Sequence, residues 1–249
     1  MHRRAADHPE SGLSYGHGFT LIELAIVLFI VTLLLGGVLT PLGQQIAERQ
    51  GSETRRTMEI ARSALVGYAI GHRDSAQPGH LPCPDMRSAG PAGTANDGRE
   101  DRHPDGRCVV QTGNLPWHTL GLAESDAWGN RLGYAVAPNW SSPLAHPHAP
   151  LQVCQDIRCE QPMAAAAVLI SHGRNGFGAF NASGGINLAP SNGEELENTN
   201  GDNRFVMHAP RAADRPGGEF DDLVAPLSPD WLRGRLCDPA SLCQTGSNH

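Results

Sequence analysis

The chain has 249 residues with a formal net charge of −7, 39% hydrophobic and 18% charged residues, enough apolar content for a packed core and too much for a disordered chain. All 19 basic residues are arginine, which excludes a Walker A loop, a Schiff-base lysine and a pyridoxal-phosphate site, since each needs an amine. With 29 glycines and 19 prolines, about a fifth of the chain, turns should outnumber long regular segments, and the acidic balance shows no basic patch of the kind nucleic-acid capture needs, so no nucleic-acid partner is expected.

Residues 1–18 are polar, with Arg3 and Arg4 near the start and Asp7 and Glu10 after them. The apolar run Phe19 to Leu39 follows; its 21 residues would span about 31 Å as a helix, enough to cross a bilayer. A secretory signal has a shorter apolar region followed by a small-residue cleavage site, and no such site follows here. One charge, Glu23, lies within the run, and a carboxylate at membrane depth is unfavourable by about 2.5–3.5 kcal/mol even on lenient scales, so it needs a partner or a function.

The hexapeptide Gly18-Phe19-Thr20-Leu21-Ile22-Glu23, running into an unbroken apolar segment, resembles the processing signal of type IV pilins and of the pseudopilins of type II secretion. The resemblance implies that a prepilin peptidase cuts between Gly18 and Phe19 and that Phe19 becomes N-methylated, with the leader on the cytoplasmic side where Arg3 and Arg4 suit it. It implies a single-pass bacterial inner-membrane protein with its head in the periplasm, later packed with other pilin or pseudopilin subunits into a pilus or pseudopilus. Glu23 would neutralise the new Phe19 amine of a neighbouring subunit and so set the register of helix packing; the alternative is that it pairs with the Phe19 amine of its own chain.

Gly36, Gly37 and Pro41 interrupt the apolar run, after which Met58, Ala61, Leu65 and Tyr68 recur at helical spacing with Arg49, Glu53, Arg55, Arg56, Glu59 and Arg62 compatible with a solvated side. One helix is expected from Phe19 to about Ile70. The organisation is therefore a leader over 1–18, a helix over 19–71 with its transmembrane part at 19–40, and a globular head over 72–249. The expected fold class is α+β: the long helix packed on a small antiparallel β-sheet head with long, disulfide-stapled loops.

Six cysteines stand at 83, 108, 154, 159, 237 and 243, an even number without a CxxC pair. In an exported chain they read as up to three disulfides, with 15 possible connectivities; in a reducing compartment they would read as metal or redox chemistry. Cys83 and Cys108 bracket a loop-like stretch containing Asp97, Glu100, Asp101 and Asp105, which lacks EF-hand spacing and reads as a solvated loop. Cys154 and Cys159 are close enough for a local bridge, and Cys237 and Cys243 would staple the last segment onto itself or onto the head.

Asp126-Ala-Trp-Gly-Asn130 and the strand-like segment 131–136 resemble the corresponding turn and strand of the major pseudopilins, with Trp128 expected as a buried anchor. Asp126 with His118 lacks a nucleophile at any recognised spacing. His146 and His148 lie in a proline-rich loop. Met163 to Ser171 reads as a buried apolar run ending in a strand, and the turn His172-Gly-Arg-Asn-Gly-Phe-Gly178 lacks both the GxGxxG spacing and a lysine for phosphate. An acidic segment over 192–206 and a closing strand over 219–224 follow. Major pseudopilins hold Ca²⁺ in this region, and by that resemblance Glu195, Glu197, Asp202 and Asp221 are the expected ligands of a possible Ca²⁺, hard oxygen donors suited to that ion. No GxSxG or HExxH is present, so no enzyme is expected. The long head favours a minor or tip subunit. The alternatives are a membrane-anchored periplasmic binding protein (an adhesin or ligand-capturing subunit) or an anchored hydrolase.

Overall fold

The computed structural model describes residues 19–72, 79–88, 90, 94–142 and 150–236, with backbone alone over 36–42. Helix α1 (Leu21–Gly71) takes in Gly36, Gly37 and Pro41 without a break in its assigned span. The chain divides into two compact units, Met1–Ile46 and Ala47–His249, so the second part of α1 belongs with the head. In the first unit the side chains from Leu21 to Leu35 are exposed. Among the described residues no helix is long and apolar enough to cross a membrane. The expected span at 19–40 extends into residues 36–42, whose side chains lie outside the description.

The head continues with β1 (Thr112–Asn114), α2 (Trp117–Leu120), β2 (Gly133–Val136), α3 (Pro138–Ser141), β3 (Leu151–Cys154), β4 (Met163–Ala165), β5 (Ala167–Ser171), α4 (Gly193–Glu197), β6 (Arg204–Val206), β7 (Leu223–Leu227) and α5 (Pro229–Leu236). A four-stranded antiparallel sheet has the order β1-β2-β5-β7, and a three-stranded sheet the order β4-β3-β6. The single small antiparallel sheet expected from sequence is thus two sheets, and β3 pairs with β6 in parallel. That pairing requires a crossover, which β4, β5 and α4 supply in sequence.

The four-stranded sheet is buried on both faces. Tyr134, Val136, Ala167, Leu169 and Leu227 meet Met58, Ala61, Leu65, Val66 and Ala69 of α1 in one cluster. Ala135, Ala137, Val168 and Ile170 meet Leu151, Val153, Ala165 and Phe205 of the smaller sheet in the other. A strand buried on both faces reads as a continuous apolar run rather than an alternation. This is why 167–171 shows no period-two pattern, and all five of its residues are buried.

Three expectations need correcting. The run from Met163 to Ser171 is two strands in different sheets, and its first residues, Met163 and Ala164, are exposed on the edge strand β4. The closing strand begins at Leu223 rather than at Glu219. Trp128 is half-buried at the rim of a turn, and Asp126 is the buried member: its Oδ1 accepts from Trp128 N at 2.9 Å and Asn130 N at 3.0 Å, and its Oδ2 from Ser171 Oγ at 2.6 Å. An aspartate that closes its own turn tolerates burial because its charge is met by donors on three sides. The turn also docks α1, since Gln50 Nε2 donates to Ala127 O at 3.2 Å and Ala127 N to Thr54 Oγ1 at 3.3 Å.

The loop between α1 and β1 is ordered by side chains. Glu100 accepts from Tyr68 Oη at 2.6 Å, from Cys83 N at 3.0 Å and from Arg102 Nη2 at 2.9 Å. Asp101 Oδ2 accepts from Met86 N at 2.8 Å. Asp97 and Asp105 accept from the backbone of Arg99 and Arg107. The four acids are therefore donor-bound individually rather than gathered around one point.

Candidate functional site

The N-terminal signal comes first in the chain. Gly18 lies outside the described residues; Phe19 is 86% exposed. Thr20 N donates to Glu23 Oε2 at 2.9 Å, Thr20 Oγ1 donates to the same oxygen at 3.0 Å, and Glu23 N donates to Thr20 Oγ1 at 3.3 Å. This reciprocal pair is a capping box, which satisfies orphan amides at the helix start and puts a negative charge where the helix dipole favours it. Thr-x-x-Glu is its sequence signature, so the capping role of Thr20 was open to sequence reasoning and missed by it.

The second site lies in the head and is assembled from three segments. Asn192 caps α4 by accepting from Glu194 N at 3.0 Å and Glu195 N at 2.8 Å, which leaves Glu195 on the inward side, 1% exposed. The loop before β7 brings in Asp221, half-buried, and Asp222, 2% exposed. The turn after β5 supplies Asn175, whose N donates to Asp221 Oδ2 at 2.9 Å and whose Nδ2 donates to Glu195 Oε1 at 3.1 Å. Gly173 makes that approach possible: at φ +60°, a Cβ there would lie 2.3 Å from Asp221 Oδ1. The glycine-rich turn thus serves a carboxylate site, and the amides of Gly176, Phe177 and Gly178 are bonded within the fold.

One carboxylate oxygen from each of Glu195, Asp221 and Asp222 lies within 4.8 Å of the other two. Glu195 Oε2, Asp221 Oδ1 and Asp222 Oδ1 are buried without a hydrogen-bond partner. Burial, with the neighbouring carboxylates adding to it, raises Asp221 to about 6 and raises Glu195 as well. Asp222 is held from behind by Asn198 Nδ2 at 2.7 Å, and His172 Nδ1, fully buried, stands 3.4 Å from its Oδ1. A hard divalent cation answers this arrangement, since Ca²⁺ bonded at ~2.3–2.6 Å spans oxygen pairs up to about 5 Å apart.

Of the four sequence-expected ligands, Glu195 and Asp221 are brought together here. Glu197 pairs with Arg204 at 3.2 Å and accepts from Asn200 Nδ2 at 3.1 Å, and Asp202 accepts from Arg204 N at 2.7 Å; both lie outside the cluster. Asp222 was missed because it was read inside a strand, where adjacent side chains face apart. Among the described residues two disulfides are formed, Cys83–Cys108 and Cys154–Cys159. Cys237, Cys243, His146 and His148 lie outside the described residues.

Residues 14–39 match the family model of the prokaryotic N-terminal methylation motif, the prepilin-type signal of type IV pilins and pseudopilins. The chain thus bears the signal of a pilin-like precursor, the kind that prepilin peptidase processes and that assembles with other pilin subunits. No curated protein and no solved structure matches the chain.

Proposed function

We propose that this protein is a structural subunit, without catalytic activity, of a type IV pilus or type II secretion pseudopilus, in a minor or tip position. The observation that carries the reading is the prepilin-type signal at residues 14–39, which takes in the start of a 51-residue helix. Prepilin peptidase cuts after Gly18 and methylates Phe19; the apolar start of α1 holds the subunit in the inner membrane with the head in the periplasm until assembly. At assembly Glu23 exchanges its contact with Thr20 for the Phe19 amine of a neighbour, an ion pair that offsets the desolvation of both charges. The size of the head, with its long loops, supports a low-copy role. Glu23→Ala is expected to remain membrane-bound and processed but to be lost from sheared filaments, measured by immunoblot of filament and membrane fractions. Equal incorporation of mutant and parent overturns the reading.

The orphaned oxygens of Glu195, Asp221 and Asp222 favour Ca²⁺ as a structural ion of the head. Bound there, it would tie α4, the turn after β5 and the loop before β7 together. Thermal unfolding of the processed protein is expected to shift upward with added Ca²⁺, and Glu195→Gln with Asp222→Asn is expected to abolish the shift. A Ca²⁺-independent melting temperature for the parent protein rules the ion out.

A further inference from the structure

We propose that His72 and His80 form a second, independent metal site at the end of α1, one that takes a borderline divalent transition ion such as Zn²⁺ or Cu²⁺. Their ring centroids lie 5.7 Å apart with the planes inclined at 62°. With a metal–nitrogen bond of ~2.0–2.1 Å and about 1.1 Å from nitrogen to ring centre, rings at that 5.7 Å separation would subtend about 130° at a shared ion, between tetrahedral and linear.

The His72 ring and the backbone around His80 are held before any ion arrives. His72 stacks on Tyr68 with centroids 3.8 Å apart, and Tyr68 is itself fixed by its 2.6 Å bond to Glu100. His72 Nδ1 lies 2.8 Å from Tyr68 O. A carbonyl only accepts, so Nδ1 carries the hydrogen and the lone pair is on Nε2. A ring nitrogen bonded to a backbone carbonyl is the usual support of a metal-ligating histidine, fixing its tautomer and raising its basicity. His80 is pinned on either side along the chain. Gly79 packs so closely on the helix end that a Cβ would lie 2.0 Å from Ala69 O, and Leu81, fully buried, donates to Trp140 O at 2.7 Å.

The nearest charges balance. Arg102 pairs with Glu100 at 2.9 Å, so the guanidinium does not stand unopposed beside the site. Glu100 is engaged by Tyr68, Cys83 and Arg102, so two imidazoles are the protein's share, and the open positions fall to water or to a group from another molecule. Nitrogen donors separate this site from the all-oxygen carboxylate cluster: imidazole suits zinc and copper, carboxylate suits calcium.

The test is Zn²⁺ titration calorimetry on the processed full chain in detergent, with Ca²⁺ present in excess to occupy oxygen sites, followed by Cu²⁺ electron paramagnetic resonance. One Zn²⁺ per chain is expected, and His72→Gln is expected to weaken it at least about tenfold, the low end of the loss seen even for partners behind a ligand. His80→Gln should do the same, whereas His146→Gln with His148→Gln should leave affinity unchanged. His72 is exposed, so its substitution leaves the core intact, checked by circular dichroism. Cu²⁺ should show two imidazole nitrogens in the parent and one in His72→Gln. Unchanged affinity in His72→Gln, a loss that follows the 146/148 pair instead, or a single imidazole in the parent spectrum overturns the proposal.

Discussion

Asp85 shows how single carboxyl groups make this head sensitive to pH. It is fully buried; its Oδ2 accepts from Gly98 N at 3.1 Å, but its Oδ1 has no partner. Burial, assisted by Asp101 and Asp97, raises its carboxyl to about 7. The folded state therefore holds a proton that the unfolded chain releases near pH 4, and stability falls as pH rises from about 4 to about 7 and is level above that. Asp85→Asn keeps an acceptor for Gly98 and removes the charge. It is expected to be more stable than the parent above pH 7, equal to or below it near pH 4, and flatter between, in urea unfolding at stepped pH. A parent profile that rises over this window contradicts the assignment. The same reasoning marks what was legible residue by residue. Glu23 stood out because a charge in an apolar run has few explanations, whereas Asp85 sits among ordinary loop acids and Asp222 was read within a strand, and only the fold shows that one oxygen of each lacks a donor.

At the scale of elements, legibility followed the kind of information each element uses. Helix α1 was readable because its stripe is local: Met58, Ala61 and Leu65 recur at helical spacing and all are buried. Tyr68 fitted the same spacing yet is half-buried, because its hydroxyl reaches Glu100, 32 residues on. Strand β5 was visible as an apolar run, but its partners were not, since both its faces are covered by segments far away in sequence. Strands β1, β3, β4 and β6 were missed. They are three or four residues long, and Arg204–Val206 lies in a segment whose composition is that of a polar loop. Asn198 explains the last case: its amide accepts from Val206 N at 2.7 Å and donates to Val206 O at 3.1 Å, pairing β6 with a side chain where a propensity argument looks for a strand. Proline in β7 is tolerated for a related reason. Pro226 lies on the edge strand of the four-stranded sheet, where one missing donor breaks no ladder on the outer side.

At the scale of the whole molecule, the two disulfides differ in what they hold. Cys83–Cys108 closes 25 residues and ties the loop that carries Glu100 and Asp101 to the α1 side of the core; both its cysteines are buried there. Cys154–Cys159 closes only 5 residues beyond β3, around exposed Ile157. Loop-closure entropy alone assigns about 3–4 kcal/mol to the longer bridge and about 2 kcal/mol to the shorter. Packing widens the gap. Removing the first bridge leaves a void among Leu81, Leu115 and Leu132 and loosens a loop whose carboxylates bind Tyr68 and the backbone of Cys83 and Met86. Removing the second leaves a turn still closed by Asp156, which accepts from Arg158 N at 2.8 Å and Cys159 N at 3.2 Å. Cys83→Ala with Cys108→Ala is therefore expected to lower the urea midpoint of the processed protein more than Cys154→Ala with Cys159→Ala. The difference should be about 1.5 kcal/mol or more, at unchanged slope. Equal losses for the two pairs would show that the longer loop is ordered by its hydrogen bonds alone, with the bridge adding nothing to them.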